Sequence, residues 1–357
     1  MLIIACISSH GFGHGSRVAA LLQELHRLAP SCRFVLSTKL PEAFLHQAFA
    51  GLSWIHRPCR WDVGVIQADA LGSDAQATLL ALEDLQAELP ALVEREADWL
   101  QKLILPGEAA VVLADIPPAA VLLAERLAIP LIWQANFGWD SIYAAMGPDF
   151  QESSEQCHHL YGRGQRLLEC PFSLPMPWGI EKVSLGLSCG RPSLSEEELR
   201  SRFNWHHPRE RTALLSFGGM GLPVSPRLLE LWPQWRFVVV DPELAQVANA
   251  WLLPAELRPL DLMPLCGVVI TKPGYSTFCE ALSQGLGMVV VERQGFIEAE
   301  VLQQGLQSFG WHQKISRAAF EQGLWRLEEP LLAPLGSPLP ADGAEQGARA
   351  LLEMLGA

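Results

Sequence analysis

Residues 8–17 read Ser8-Ser-His10-Gly-Phe-Gly13-His14-Gly-Ser-Arg17, directly after the apolar run Leu2–Ile7 and directly before the helical pattern Val18-Ala-Ala-Leu-Leu22. An apolar strand that ends in a glycine-rich loop and passes at once into a helix is the opening of a βαβ unit. Gly11, Gly13 and Gly15 let the backbone approach a ligand closely. A helix beginning near Ser16 would turn its free N–H groups and partial positive charge toward the same space. An anion or a polar sugar suits such a loop. NAD is a weak alternative, because the GxGxxG spacing is missing and the next apolar run, Arg33–Thr38, ends without an acidic residue.

The same rhythm continues outward. Apolar runs at Leu2–Ile7, Arg33–Ser37, Ala110–Ala114 and Pro130–Gln134 alternate with helical stretches at Arg17–Leu28, Asp74–Leu103 and Pro117–Leu127. Residues 171–211 interrupt it with prolines, an acidic run and Asn204-Trp-His-His-Pro208, and read as an interdomain connection. Alternation restarts with Ala213–Phe217, Arg236–Val240, Gly267–Thr271 and Met288–Glu292. The expected organisation is α/β: two doubly wound domains, 1–190 and 191–335, then a segment 336–357 whose helix packs back on the first domain. A chain of 357 residues suits two cores better than one.

Composition narrows the function classes. With 49% hydrophobic and 18% charged residues the chain is a well-buried globular protein, and its net charge of −13 argues against nucleic acid as partner. The eight cysteines are scattered and form no CxxC pair, which predicts reduced thiols in a cytoplasmic protein. Cys157-His158-His159 has no second ligand cluster at metal-site spacing, so it reads as a plain loop. The apolar start is too short for a signal-peptide core or a membrane span. Most of the twelve tryptophans should be core, with room for an exposed few that touch lipid in a peripheral membrane contact.

In open parallel sheets ligands lie beyond the carboxyl ends of the strands, so the loops there carry the chemistry. His14 reads either as a general base or as a cap on its own turn. Asp115, ending Val112-Leu-Ala-Asp115, reads either as the N-cap of a proline-started helix or as the acceptor from the histidine's second ring N–H. The stretch Asn136-Phe-Gly-Trp139-Asp140-Ser-Ile-Tyr143 suits a polar acceptor and suits packing equally. Two later turns favour phosphate: Ser216-Phe-Gly218-Gly219-Met220, and Thr271-Lys272-Pro-Gly274-Tyr275-Ser276-Thr277, which enters a helix carrying Glu280. Backbone amides and hydroxyls at that helix start would hold a diphosphate, and Glu280 could take two ribose hydroxyls. The same residues also spell a capping box, and the two roles do not exclude each other.

These loops resemble those of the GT-B glycosyltransferases, whose two Rossmann-like domains face each other across a cleft. Lys272-Pro-Gly-Tyr-Ser-Thr-Phe-Cys-Glu280 is similar to the donor motif of UDP-dependent members, which implies phosphate and ribose contacts for Gly274, Thr277 and Glu280. Lys272 stands where many members have a histidine and keeps a cationic group for phosphate. Gly13-His14 resembles the family's loop with the catalytic histidine, and Asp115 stands where its partner aspartate stands. A longer resemblance, over nearly the whole chain, is to the glycosyltransferase-like N-terminal part of plant arabinokinases. It is carried by His10–His14 with Arg17, Val65–Leu71, Asn136–Asp140 with Ile142-Tyr143, Phe217-Gly218-Gly219 and Phe296-Ile-Glu298. Nothing in the chain resembles the ATP loop of their kinase part, so kinase activity is not implied.

The resemblance implies an inverting, metal-independent transferase for a hexosyl or pentosyl group, without a cofactor, that uses a nucleotide sugar (UDP first) and a small-molecule or lipid acceptor. His14 would be the base and Asp115 its partner. Gly218, Gly219, Met263 (with Leu262), Lys272, Gly274, Tyr275, Ser276, Thr277, Glu280 and Glu298 would face the donor, Glu300 standing next to Glu298 for the sugar hydroxyls. His10, Gly13, Arg17, Gln67, Asp69, Asn136, Trp139 and Asp140 would face the acceptor. The rival readings are a nucleotide-sugar epimerase or hydrolase, and a non-catalytic nucleotide-sugar-binding protein.

Overall fold

The computed structural model describes residues 1–356 except 67–72, 219–223 and 294–296. The Val- and Ile-rich runs form strands, and those at the centre of each sheet are buried along their whole length, as parallel strands covered on both faces must be. The chain divides into two compact units, Met1–Ser188 with Asp342–Ala357, and Cys189–Ala341.

In the first unit seven strands are described: β1 (Leu2–Ile7), β2 (Arg33–Ser37), β3 (Trp54–Arg57), β4 (Ala110–Asp115), β5 (Leu131–Ala135), β6 (Arg166–Glu169) and β7 (Glu181–Ser184). They pair in parallel in the order β3-β2-β1-β4-β5-β6-β7. The second unit has β8 (Thr212–Leu215), β9 (Arg236–Val239), β10 (Ala250–Leu252), β11 (Val268–Thr271), β12 (Gly287–Val291) and β13 (His312–Ile315). Their order is β10-β9-β8-β11-β12-β13, again all parallel. Each sheet therefore reverses its winding between its first and fourth strand. Ligands bind at the carboxyl end of such a switch point.

Two expectations are corrected by the elements themselves. Residues 171–211 are more than a connection: they supply β7 to the first sheet and the helix Glu196–Arg202, which a Ser195/Glu198 capping box starts. The first helix begins at Phe12, not near Ser16, so Gly13 and Gly15 are helical. At Gly15 the reason for glycine is packing, since a Cβ would lie 2.5 Å from Phe44 Cε1 and 2.7 Å from Leu40 Cδ1.

The helix Gly343–Met354 belongs to the first unit and lies against the helix Phe12–Leu28. Its Gln346 side chain accepts from the Gly186 backbone N–H at 2.8 Å, and Ala348 and Leu351 are fully buried.

Candidate active site

At the switch point of the first sheet, β1 runs into the helix that carries His14, and the adjacent β4 ends on Asp115. The Ser8 backbone N–H donates to the Asp115 carbonyl at 2.8 Å and ties the two strand ends together. His14 Nδ1 lies 2.8 Å from Asp115 Oδ1. An ionised carboxylate only accepts, so Nδ1 carries the hydrogen and the neutral ring keeps its lone pair on Nε2. That nitrogen is the one available to take a proton.

Three residues along the same helix face, Arg17 donates to both Asp115 oxygens, Nε to Oδ2 and Nη2 to Oδ1, each at 2.7 Å, and Nη1 donates to Asn136 Oδ1 at 2.7 Å. Burial alone would raise the Asp115 carboxyl, but the Arg17 charge and the hydrogen bonds from Arg17 and His14 outweigh it and hold it below the usual range. The sequence placed Arg17 and Asn136 toward an acceptor; both are about 1% exposed, Arg17 bracing Asp115 and Asn136 holding Arg17. Nor is Asp115 a helix cap, since the helix Ala120–Leu127 starts from Ala119 without any side-chain cap.

Aromatic rings wall the His14 side. Phe137 meets His14 edge-on at 5.9 Å, and Trp139 packs against both, at 5.3 Å from Phe137 and 6.4 Å from His14. His10 sits edge-on to Trp139 at 5.2 Å and accepts from the Val65 backbone N–H at 3.3 Å. Asp140 is committed within the unit: it accepts from the Trp178 indole at 2.9 Å and from the Ser141 N–H at 2.9 Å, and faces His158 at 3.1 Å. Gln67 and Asp69 lie outside the described residues.

Sequence reasoning missed Asp62. It stands in the loop after β3, is 5% exposed, accepts from the Trp139 indole N–H at 2.8 Å and from the Ser8 hydroxyl, and feels the charge of His14. The signal that points to it is the strand Trp54–Arg57, whose following loop carries it.

The second unit repeats the arrangement. At its switch point the turn after β8 holds Gly218 in the left-handed region at φ +71°, while Gly219 lies outside the described residues. After β11, Lys272 and Gly274 lead into the helix Tyr275–Ser283, whose N-cap is Gly274 with no side-chain cap, so the capping box suggested by Ser276, Thr277 and Glu280 does not form. The positive end of that helix faces the same turn.

Burial, with the Arg293 charge nearby, lowers Lys272 to about 8. Burial raises Glu280 to about 7; Arg258 opposes the rise and Asp261 adds to it. Arg258 itself is paired with Asp261 at 2.9 Å. Glu298, on the helix Ile297–Phe309, is buried and interacts with the Arg293 charge, whereas Glu300 is exposed. Leu262 and Met263 are fully buried and present no side-chain surface to a base. Among the described residues no group of three His, Cys, Asp or Glu side chains is placed to hold a metal ion, and no helix is long and apolar enough to cross a membrane.

Two parallel sheets with this strand order, each with polar loops at its switch point, form the GT-B glycosyltransferase fold. The chain is similar to Arabidopsis thaliana UGT89C1 complexed with UDP-L-rhamnose, with a TM-score of 0.63 and 11% identity over 99% of this chain and 98% of that one. It is also similar to a UDP-glucosyltransferase from Polygonum tinctorium capable of glucosylating indoxyl, with a TM-score of 0.58 and 15% identity over 99% of this chain and 92% of that one. In sequence it is 26% identical over 326 residues to L-arabinokinase of Arabidopsis thaliana, covering 89% of this chain and 31% of that protein. The chain thus spans about a third of the curated relative's length. No protein-family model matches it.

Proposed function

We propose that the chain transfers a hexosyl or pentosyl group from a nucleoside-diphosphate sugar, UDP-linked in the first instance, to an acceptor hydroxyl with inversion at the anomeric carbon. The observation that carries this reading is the His14–Asp115 contact of 2.8 Å at the switch point of the first sheet. His14 Nε2 takes the acceptor proton as the acceptor oxygen attacks the anomeric carbon. The bond from that carbon to the diphosphate oxygen breaks, and the nucleoside diphosphate leaves with the electron pair.

On the second unit Lys272 and the positive end of the helix Tyr275–Ser283 supply the charge that meets the diphosphate, without a metal or other cofactor. Glu280 accepts from the ribose hydroxyls and Glu298 from the sugar. UGT89C1, similar in fold, has been seen with UDP, UDP-L-rhamnose and quercetin, which supports a nucleotide sugar and a small-molecule acceptor here. The eight cysteines are buried and form no disulfide, which supports a cytoplasmic setting.

A thermal-shift titration with UDP, GDP, dTDP and CDP and their sugars tests the donor half. UDP at about 100 times its Kd should add about 2.7 kcal/mol of stability to the wild type, and Glu280→Ala should lose that response. His14→Ala should keep the UDP response and lose transfer by about 10²–10⁴-fold. Product from the donor alone, without an acceptor, would turn the reading toward an epimerase or hydrolase, and a nucleotide response without any turnover toward a sensor.

A further inference from the structure

Four buried ionisable side chains gather at the carboxyl ends of β1 and β4: His14, Arg17 and Asp115 are joined directly, and Asp62 is linked to them through Trp139, from whose indole it accepts and whose ring lies 6.4 Å from His14. The Arg17 guanidinium is committed to Asp115, whose two oxygens it holds at 2.7 Å each. Asp115 therefore offers His14 a hydrogen bond and an orientation but little net charge.

Asp62 is different. Its carboxylate is held by two neutral donors, the Trp139 indole N–H at 2.8 Å and the Ser8 hydroxyl, and it makes no ion pair among the described residues. The cationic groups that act on it are His14 and Arg60, and Arg60 is exposed and donates to the Asp62 backbone carbonyl at 3.3 Å. Tyr143 and Cys157, which also feel Asp62, are pushed upward by burial and stay neutral.

We propose that Asp62 is the counter-charge of the His14 imidazolium, a positioning residue that equips His14 to take the acceptor's proton. This rests on His14 as the base of the transfer. With a neutral His14 the cluster holds two carboxylates against one guanidinium, and so one unbalanced negative charge. When the proton passes from the acceptor hydroxyl to Nε2, the buried cluster becomes neutral, and the departing nucleoside diphosphate carries the negative charge away. Without Asp62 the same step would leave a net positive charge in a buried, desolvated place. Burial also lifts the Asp62 carboxyl above the ordinary aspartate range, against the hydrogen bonds of Ser8 and Trp139 and the charges of His14 and Arg60.

The test is an NMR pH titration of the ligand-free protein with ¹³Cε1-labelled histidine, the His14 signal being identified by its absence in His14→Gln. Asp62→Asn, nearly the same shape and still an acceptor for Trp139, should move the His14 titration midpoint down by about one pH unit, and Asp62→Glu should restore it. In a transfer assay the acid limb of kcat/KM should move the same way while the plateau falls about tenfold or more. An unmoved His14 midpoint in a folded Asp62→Asn protein overturns the proposal. Should that variant not fold, the wild-type His14 signal must still show a second inflection where the Asp62 carboxyl carbon titrates, and a single inflection overturns it equally. The NMR readout needs no substrate, so it stands or falls separately from the transferase reading.

Discussion

Lys272 and Glu280 lie eight positions apart on one loop and helix, and burial moves them toward each other, the ammonium down to about 8 and the carboxyl up to about 7. The signs follow from desolvation, which disfavours each charged form. On the donor assignment proposed above, Glu280 protonated below about 7 would lose acceptor capacity for ribose hydroxyls, and Lys272 neutral above about 8 would lose the charge proposed to meet a diphosphate. UDP affinity should therefore be bell-shaped, highest between these values, in calorimetric titrations across pH. Glu280→Gln should remove the fall on the acid side and Lys272→Arg the fall on the alkaline side; a flat wild-type profile would count against both assignments. Residue identity was informative here because the strand-to-helix loops made His14, Asp115, Lys272 and Glu280 conspicuous. It misled at Arg17, whose position on the helix face was legible while the depth of its burial was not. Asp62 escaped notice altogether, because its partners Ser8 and Trp139 are remote in sequence.

At the level of elements, the fully buried strands were plain because each is an unbroken apolar run. Two strands that the apolar runs do not mark, Trp54-Ile-His-Arg57 and Glu181-Lys-Val-Ser184, lie at sheet edges, where solvent on one side permits polar residues. In β3 the polarity has a partner: Arg57 pairs at 2.6 Å with Glu96 of the long helix Ala75–Gln101, a contact no local pattern announces. The early start of the first helix was hidden by Gly13 and Gly15, poor helix formers retained at Gly15 for close packing. The same close approach recurs at Gly343, where a Cβ would lie 2.2 Å from the Gly186 carbonyl oxygen and 2.6 Å from Ser188 Oγ. Backbone cannot yield as a flexible side chain can, so Gly343→Ala should cost about 1–3 kcal/mol, read as a lower urea midpoint at an unchanged slope. Gly11→Ala, with nothing within 4 Å, should stay within about 0.5 kcal/mol of wild type.

Across the whole molecule the chain builds one sheet, then a second, and returns for its last helix to the first unit. A protein ending at Ala341 loses the burial of Ala348 and Leu351, of which the leucine alone contributes about 1.5–3 kcal/mol. It should melt at a lower temperature in a thermal scan while the second unit still responds to UDP. Periodicity and loop chemistry by themselves determined the α/β class, the two-sheet plan and the loops where chemistry would sit, since strand burial and glycine-rich turns are written in local residue order. Strand order and the grouping of His14, Arg17, Asp62 and Asp115 were decided only by the tertiary structure. Parallel pairing joins strands that are distant in sequence, and a buried charge finds its balance among whatever side chains that pairing brings near it.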